Sequence, residues 1–461
     1  MHDMRLFVAA ATLLLGAAHA QSLTPHQQLT RDIYQELVEI RTVHPDGDNT
    51  AAARAMAKRL LDAGFDAKDV EVVEPHPLKG NLVARLRGTG ELKPVLLLAH
   101  LDVVEAKKED WSDGLDPFKL TERDGYFYGR GVIDDKAMAA IFVANLIRYR
   151  LEGWKPKRDL IVALTADEEG GTHNGVAWLL KNRRDLIEAQ FGLNEGGGGQ
   201  YRGGKPYLNG VQVSEKVYLS FDFEAVNPGG HSSVPGKDNA IYELAGALDR
   251  LSRLELPARL NYVMRMTAAK EIETGAMSEA LGAVARGNPT PEQIQRVSTV
   301  PRYNAQLRTT CVATRLEGGH ADNALPQRAK ATVNCRLLPG EDPKFVLSEL
   351  QRVAGDRVRV KPHFDASPSQ PSDPQSPVMK TIQRVSESLW PGVPVVPVMS
   401  TGATDGSRLR NAEIPVYGVN GLFTEAGENR IHGRDERLGV KAFYEGSEFL
   451  DRLVRALGNS E

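Results

Sequence analysis

Five apolar residues, Leu160 to Leu164, run almost directly into three consecutive acids, Asp167, Glu168 and Glu169, in the stretch LIVALTADEEGG. A short, uninterrupted apolar run set between helical stretches reads as a strand covered on both faces, and such strands belong to parallel sheets flanked by helices. A buried strand that ends in three mutually repelling carboxylates also needs something to offset their charge. An α/β sheet with a charge cluster at one edge is therefore the first expectation.

The chain beyond this stretch follows suit. From Thr24 to about Glu215, helical and strand-like segments alternate. LTRDIYQELVEI and NTAAARAMAKRLLDAGF carry apolar residues at helical spacing, the second with Asn49 or Thr50 as its cap and Gly64 as its stop. NLVARLRG and PVLLLAH read as strands, DKAMAAIFVANLIRYRLEG as a helix, GVAWLLKNRR as a helix and FGLN as a short strand. Between about 216 and 362 the pattern changes to half-exposed strands, such as KVYLSFDFEAV, with helices on one face, as in an antiparallel α+β unit. DASPSQPSDPQSP reads as a linker, after which a helix and the strand IPVYGVN resume the first pattern. A chain of 461 residues is long for one core. We therefore predict a mostly parallel α/β domain in two pieces, 21–215 and 363–461, with a smaller lid domain, 216–362, inserted between them.

A net charge of −3 offers no footprint for nucleic acid or a membrane surface. At the N-terminus Arg5, an apolar stretch and Ala18-His19-Ala20 form the pattern of a cleavable secretory signal over 1–20, with cleavage after Ala20. The apolar stretch is shorter than the roughly 20 residues a membrane span needs, so the expectation is a periplasmic or secreted protein that leaves the membrane after processing. Cys311 and Cys335 sit in two strand-like runs flanking EGGHADNALPQ. They could face each other in a disulfide if those runs form a hairpin; two free, packed thiols are the simpler expectation.

In open parallel sheets ligands bind at the carboxyl ends of the strands. LLLAH ends in His100 with Asp102 two residues on, LIVAL leads into Glu168 and Glu169, and FGLN is followed by Glu195. GRGVIDDK places Asp134 and Asp135 before a helix, and RIHGRDER carries His432 in a Gly-flanked loop. Singly each has an ordinary structural explanation; together they are a set of metal-type ligands delivered to one edge. Charge counting agrees with two dications, which Asp134, Glu169, Glu195 and a hydroxide would balance, leaving Glu168 free as a base.

AHLD, GRGVIDDK, TADEEGG, LNEGG, GGHSSVP, DNALP and IHGRDER occur in the order found in the family 20 metallopeptidases, and nearly the whole chain after the signal resembles them. The resemblance is greatest to the carboxypeptidase S branch. It implies a hydrolase holding two Zn²⁺ per subunit, with Co²⁺ or Mn²⁺ as substitutes. One zinc would be held by His100, Asp134 and Glu195, the other by Asp134, Glu169 and His432. Asp102 would orient His100, Glu168 would be the general base, and His231 would donate to the oxyanion, often from a partner subunit of a homodimer formed through the lid. Asn323, Arg336, Gly402 and Thr404 match positions near the substrate's carboxylate, although Asn334 stands where the family usually has Asp. The implied substrate is a short peptide or N-acyl amino acid with a free carboxylate. Glu195, where aminopeptidases have Asp, favours the carboxypeptidase and aminoacylase side. A desuccinylase-like deacylase of one N-acylated metabolite is the alternative; a silent binding protein or a two-metal phosphoesterase fits less well, since no ligand is missing and no phosphate-gripping loop is present.

Overall fold

The computed structural model describes residues 22–270, 276–364, 366, 368–428 and 430–460; the signal segment expected over 1–20 lies outside them. Among the described residues no helix is long and apolar enough to cross a membrane.

A ten-stranded sheet forms the larger layer. Its centre is parallel: Arg158–Thr165, Leu92–His100, Phe191–Asn194 and Val416–Gly418 lie side by side in that order. Antiparallel strands extend it on both sides, Asn81–Leu86 and Val70–Val73 on one and the hairpin of Gly198–Arg202 with Lys205–Glu215 on the other. Val95 to His100 and Leu160 to Thr165 are buried throughout, as covered central strands must be. Helix Lys136–Leu151 is buried on nearly every side because it is apolar all round and lies inside the largest core cluster.

A second, four-stranded antiparallel sheet runs in the order Thr310–Gly318, Arg328–Leu337, Val217–Val226, Val358–Pro362. Helices Ala240–Ser252 and Pro343–Ala354 cover one face, closing a core that includes Leu219, Phe221, Leu244, Val333 and Leu350. The opposite face is polar, with Asp222 paired to Lys330 and His363, and Glu224 to Arg328 and Arg359.

Several local expectations are corrected. Asp48, not Asn49 or Thr50, caps helix Asn49–Asp62, its carboxylate accepting from the Ala51 N–H at 2.8 Å. Thr50 is used elsewhere, accepting from the Gly80 N–H at 2.8 Å. Cys311 and Cys335 are not free thiols: the antiparallel register sets them directly opposite, with Cα atoms 4.1 Å apart, and they form a disulfide. The described part of the Pro- and Ser-rich segment is packed against the large sheet instead of running free, Ser372 bonding the Val416 carbonyl and N–H at 2.7 and 2.9 Å. Within 216–362 the helices from Tyr262–Lys270 to Pro301–Leu307 have their own core, including Met264, Leu281, Val297 and Leu307, and helix Tyr262–Lys270 packs on strand Val395–Ser400 of the large sheet.

Candidate metal centre

His100 is the last residue of strand Leu92–His100 and is almost fully buried. Its Nδ1 lies 2.9 Å from the carbonyl oxygen of Asp102, an acceptor only, so that nitrogen carries a proton and Nε2 is the nitrogen turned toward the cluster. Nε2 is 2.9 Å from an oxygen of Asp134 and 3.8 Å from one of Glu195. Across the cleft, His432 Nε2 lies 2.7 Å from Glu169 and 3.2 Å from the other oxygen of Asp134. Asp134 thus stands between the two imidazoles, while Asp135 touches neither ring nitrogen in this way and its Oδ2 is buried without a hydrogen bond.

Ligand atoms of His100, Asp134 and Glu169 lie within 4.8 Å of one another, as do those of His100, Glu168 and Glu195. The charge balance of this cluster is telling. Burial, together with Asp405, Glu169 and Asp102, pushes the Glu168 carboxyl well above its ordinary range. Burial and then Glu168 and Asp134 do the same to Glu195. Asp134 is buried as well, yet the two imidazoles hold it below the usual carboxylate range. His432 is raised to about 10 by its hydrogen bonds to Asp134 and Glu169. Five carboxylates, Asp102 included, with two imidazoles as their nearest cations are a donor set that divalent metal fits: oxygen and imidazole nitrogen ligands, crowded and short of positive charge.

The acids at the end of strand Arg158–Thr165 are held apart by distinct bonds. The Asp102 carboxylate accepts from the backbone N–H groups of Glu168 and Glu169, at 3.1 and 2.9 Å. Its carboxylate therefore aims the two glutamates, a task the sequence did not assign to it, while its carbonyl, with a carboxylate oxygen 3.6 Å from the same Nδ1, orients His100. Asp167, at φ 55°, turns away and pairs with the buried Lys79 at 2.8 Å.

Two buried acids that sequence reasoning missed hold the surrounding loops. Glu436 accepts from Arg130 at 2.6 Å and from the N–H groups of Gly131 and Ile133 at 3.1 and 2.9 Å, clamping the loop that presents Asp134. Glu215 accepts from the Thr404 hydroxyl at 2.7 Å and the Ser407 N–H at 3.0 Å, and pairs with Arg410. Position four after His432 was the available signal for Glu436; nothing local marked Glu215.

A cleft of about 880 Å³ opens on Glu168, Glu169 and His432 and reaches Arg336, Gly402 and Thr404. Thr404 lines it while its hydroxyl is spent on Glu215. His231 and Asn323 are brought together elsewhere: the Ser232 N–H donates to the Asn323 carbonyl at 3.0 Å, on the short ribbon where His231 pairs with Ala324. Both are exposed and neither lines the cleft.

A mixed sheet whose parallel strands deliver carboxylates and imidazoles to one edge, beside a cleft, defines a hydrolase dependent on divalent metal. The chain belongs to peptidase family M20/M25/M40, which it matches over residues 96–456. It is similar to the human N-fatty-acyl-amino acid synthase/hydrolase PM20D1, 29% identical over 388 residues that cover 79% of this chain and 74% of that protein. Probable carboxypeptidase S-like 2 of Dictyostelium discoideum is 28% identical, covering 81% of this chain and 74% of that one. Among solved structures, an M20 family metallo-carboxypeptidase of Sulfolobus solfataricus superimposes with a TM-score of 0.69 at 18% identity, covering 93% of this chain and 99% of that one, a likeness of fold. The protein is an amide hydrolase of this family.

Proposed function

We propose that the protein hydrolyses the amide bond of N-acyl amino acids or short peptides that carry a free carboxylate. The observation that carries this reading is the lining of the cleft: Glu168, Glu169 and His432 open on it, and the half-buried Arg336 guanidinium, with no carboxylate partner among the described residues, lines the same space. An unpartnered guanidinium in a cleft suits a bidentate grip on a substrate carboxylate.

His100, Asp134 and Glu195 would hold one Zn²⁺ and Asp134, Glu169 and His432 the other. Bound there, the metal pair supplies Lewis-acid polarisation of the amide carbonyl and lowers the pKa of the attacking water. Glu168 takes a proton from that water and returns it to the nitrogen as the C–N bond breaks, giving an acid and a free amine. His231 donates to the developing oxyanion. Its Nδ1 accepts from the Ser233 N–H at 3.2 Å, which leaves Nε2 as the donor. Because His231 and Asn323 sit on an exposed ribbon, we assign them to the cleft of a partner subunit. Support for a homodimer through the smaller sheet comes from its outer strand, Thr310–Gly318, whose Val312 and Leu316 are exposed beside the exposed Ile241 and Tyr242. We place the mature protein in the periplasm or outside the cell on the pattern of residues 1–20, and treat 216–362 as the lid.

Replacement Glu168→Gln tests the reading. Turnover of N-acyl amino acids should fall by about 10²–10⁴-fold while two metals remain bound per chain. Loss of metal from this variant would make Glu168 a ligand and remove the base.

A further inference from the structure

Strand Val217–Val226 alternates cleanly. Leu219, Phe221, Phe223 and Ala225 point into the core beneath the two helices, whereas Ser220, Asp222 and Glu224 lie on the polar face. Tyr218 breaks that polarity: it shares the polar face, is 44% exposed, and belongs to no core cluster. Beside it, just past strand Val358–Pro362, Phe364 is 48% exposed. The two rings are stacked, with centroids 6.2 Å apart and planes within 9°. Both line the metal cleft. An aromatic pair left half in water on a largely polar face loses the benefit of burial unless something apolar covers it.

The neighbours of the pair say what covers it. Tyr218 and Arg336 are direct partners in the antiparallel register, so their side chains stand on the same face, and the guanidinium carbon lies 4.8 Å over the Tyr218 ring. Buried Lys216, whose Nζ donates to the carbonyls of Ala305 and Arg308, lines the same wall. An anion-gripping group and an aromatic shelf are therefore adjacent, and Glu168, Glu169 and His432 line the same space. In an N-acyl amino acid the side chain is attached to the carbon between the carboxylate and the scissile nitrogen. With the carboxylate on Arg336 and the amide at the metals, that side chain is the group next to the shelf.

We propose that Tyr218 and Phe364 form the subsite for the side chain of the carboxylate-bearing residue and select large apolar, above all aromatic, side chains there. This inference rests on the amide-hydrolase reading above for the orientation of the substrate. The acyl group lies on the other side of the scissile bond and is not read by this shelf.

Two measurements separate the inference from the reading beneath it. In the first, metal-loaded wild type is assayed on N-acetyl-phenylalanine, N-acetyl-leucine, N-acetyl-alanine and N-acetyl-aspartate, with Phe364→Ala, Tyr218→Ala and Tyr218→Phe beside it. The phenylalanine-to-alanine ratio in kcat/KM should exceed about tenfold in the wild type, the gain one apolar subsite gives. It should collapse toward unity in either alanine variant and return in Tyr218→Phe. In the second, binding of N-acetyl-phenylalanine and N-acetyl-alanine to Glu168→Gln is measured by calorimetry, with and without Phe364→Ala, which reads the shelf even where nothing is turned over. Equal binding and equal kcat/KM for the two compounds in the wild-type shelf would overturn the subsite. So would variants that alter dependence on acyl-chain length while leaving the side-chain ratio intact. Absence of turnover on every substrate, with the binding difference present, would retain the subsite and reject the hydrolase reading.

Discussion

At the edge of the large sheet the candidate residues hold one another in place, whereas at the tip of the smaller sheet they stand in the open. His100 is buried and oriented by the Asp102 carbonyl; Asp134 lies between two imidazoles; the amides of Glu168 and Glu169 are gripped by Asp102. His231, by contrast, is exposed and supported by Ser233, and Asn323 engages the ribbon through its backbone carbonyl. The difference separates two ways of building a site. Groups carried on strand ends are positioned by the sheet itself, so the apo chain already has the cluster. Groups carried on the ribbon acquire a role only when a second body brings a cleft to them.

The sharpest way to break the first half of this comparison is at Glu436. Its carboxylate and the Arg130 guanidinium are both buried, and removing one partner of such a pair costs about 3–5 kcal/mol. Because Glu436 also ties down the N–H groups of Gly131 and Ile133, Glu436→Ala should lose bound metal along with stability. Metal analysis and thermal unfolding of the variant check this; a stable variant holding its full metal complement would mean the Asp134 loop is organised by something else.

The second half is tested at His231. If its Nε2 donates to an oxyanion, His231→Ala should lower kcat by about 10²–10³-fold, the usual cost of such a donor, with metal content intact. Mixing it with Glu168→Gln, under conditions that exchange subunits, should restore activity, since some hybrid clefts then hold both an intact base and an intact donor. A mixture as inactive as its parts would place His231 outside any partner's cleft.

The same contrast explains what could be read from the chain. His100, Glu168, Glu169 and Glu195 are legible because each directly follows an apolar strand, and the parallel order of those strands brings their ends together. Glu215 is not, because its partners lie far along the chain and a lone acid has no periodic signature; for Glu436 the spacing of four residues from His432 was the one signal. The hairpin Gly198–Arg202 with Lys205–Glu215 escaped notice for a related reason: its Gly-rich first half lacks the alternation that marks a strand. The cysteine pairing depended on the register of two strands, which residue types do not specify to within one position. Tyr218 was hidden in plain view, since one aromatic at an outward position of an alternating strand differs from a core residue only by its phase.

The smallest expected effect concerns how the preformed edge takes up its metal. His432, raised to about 10 by Asp134 and Glu169 in the metal-free chain, is protonated at neutral pH. A raised pKa of this kind stabilises the metal-free fold fully below the ordinary histidine value near 6.5, and that contribution is lost as pH rises through about 10. Metal needs the neutral ring, so across this window binding must expel the proton. Burial also pushes the carboxyls of Glu168 and Glu195 upward in the same space. Apparent metal affinity should therefore strengthen by about tenfold per pH unit for each proton released, and calorimetry in two buffers of different ionisation enthalpy should register at least one proton set free between pH 6 and 8. The ribbon predicts the opposite: among the described residues His231 pairs with no carboxylate, and His231→Ala should leave this proton count as it was. Metal binding that released no proton would remove His432 from the ligand set.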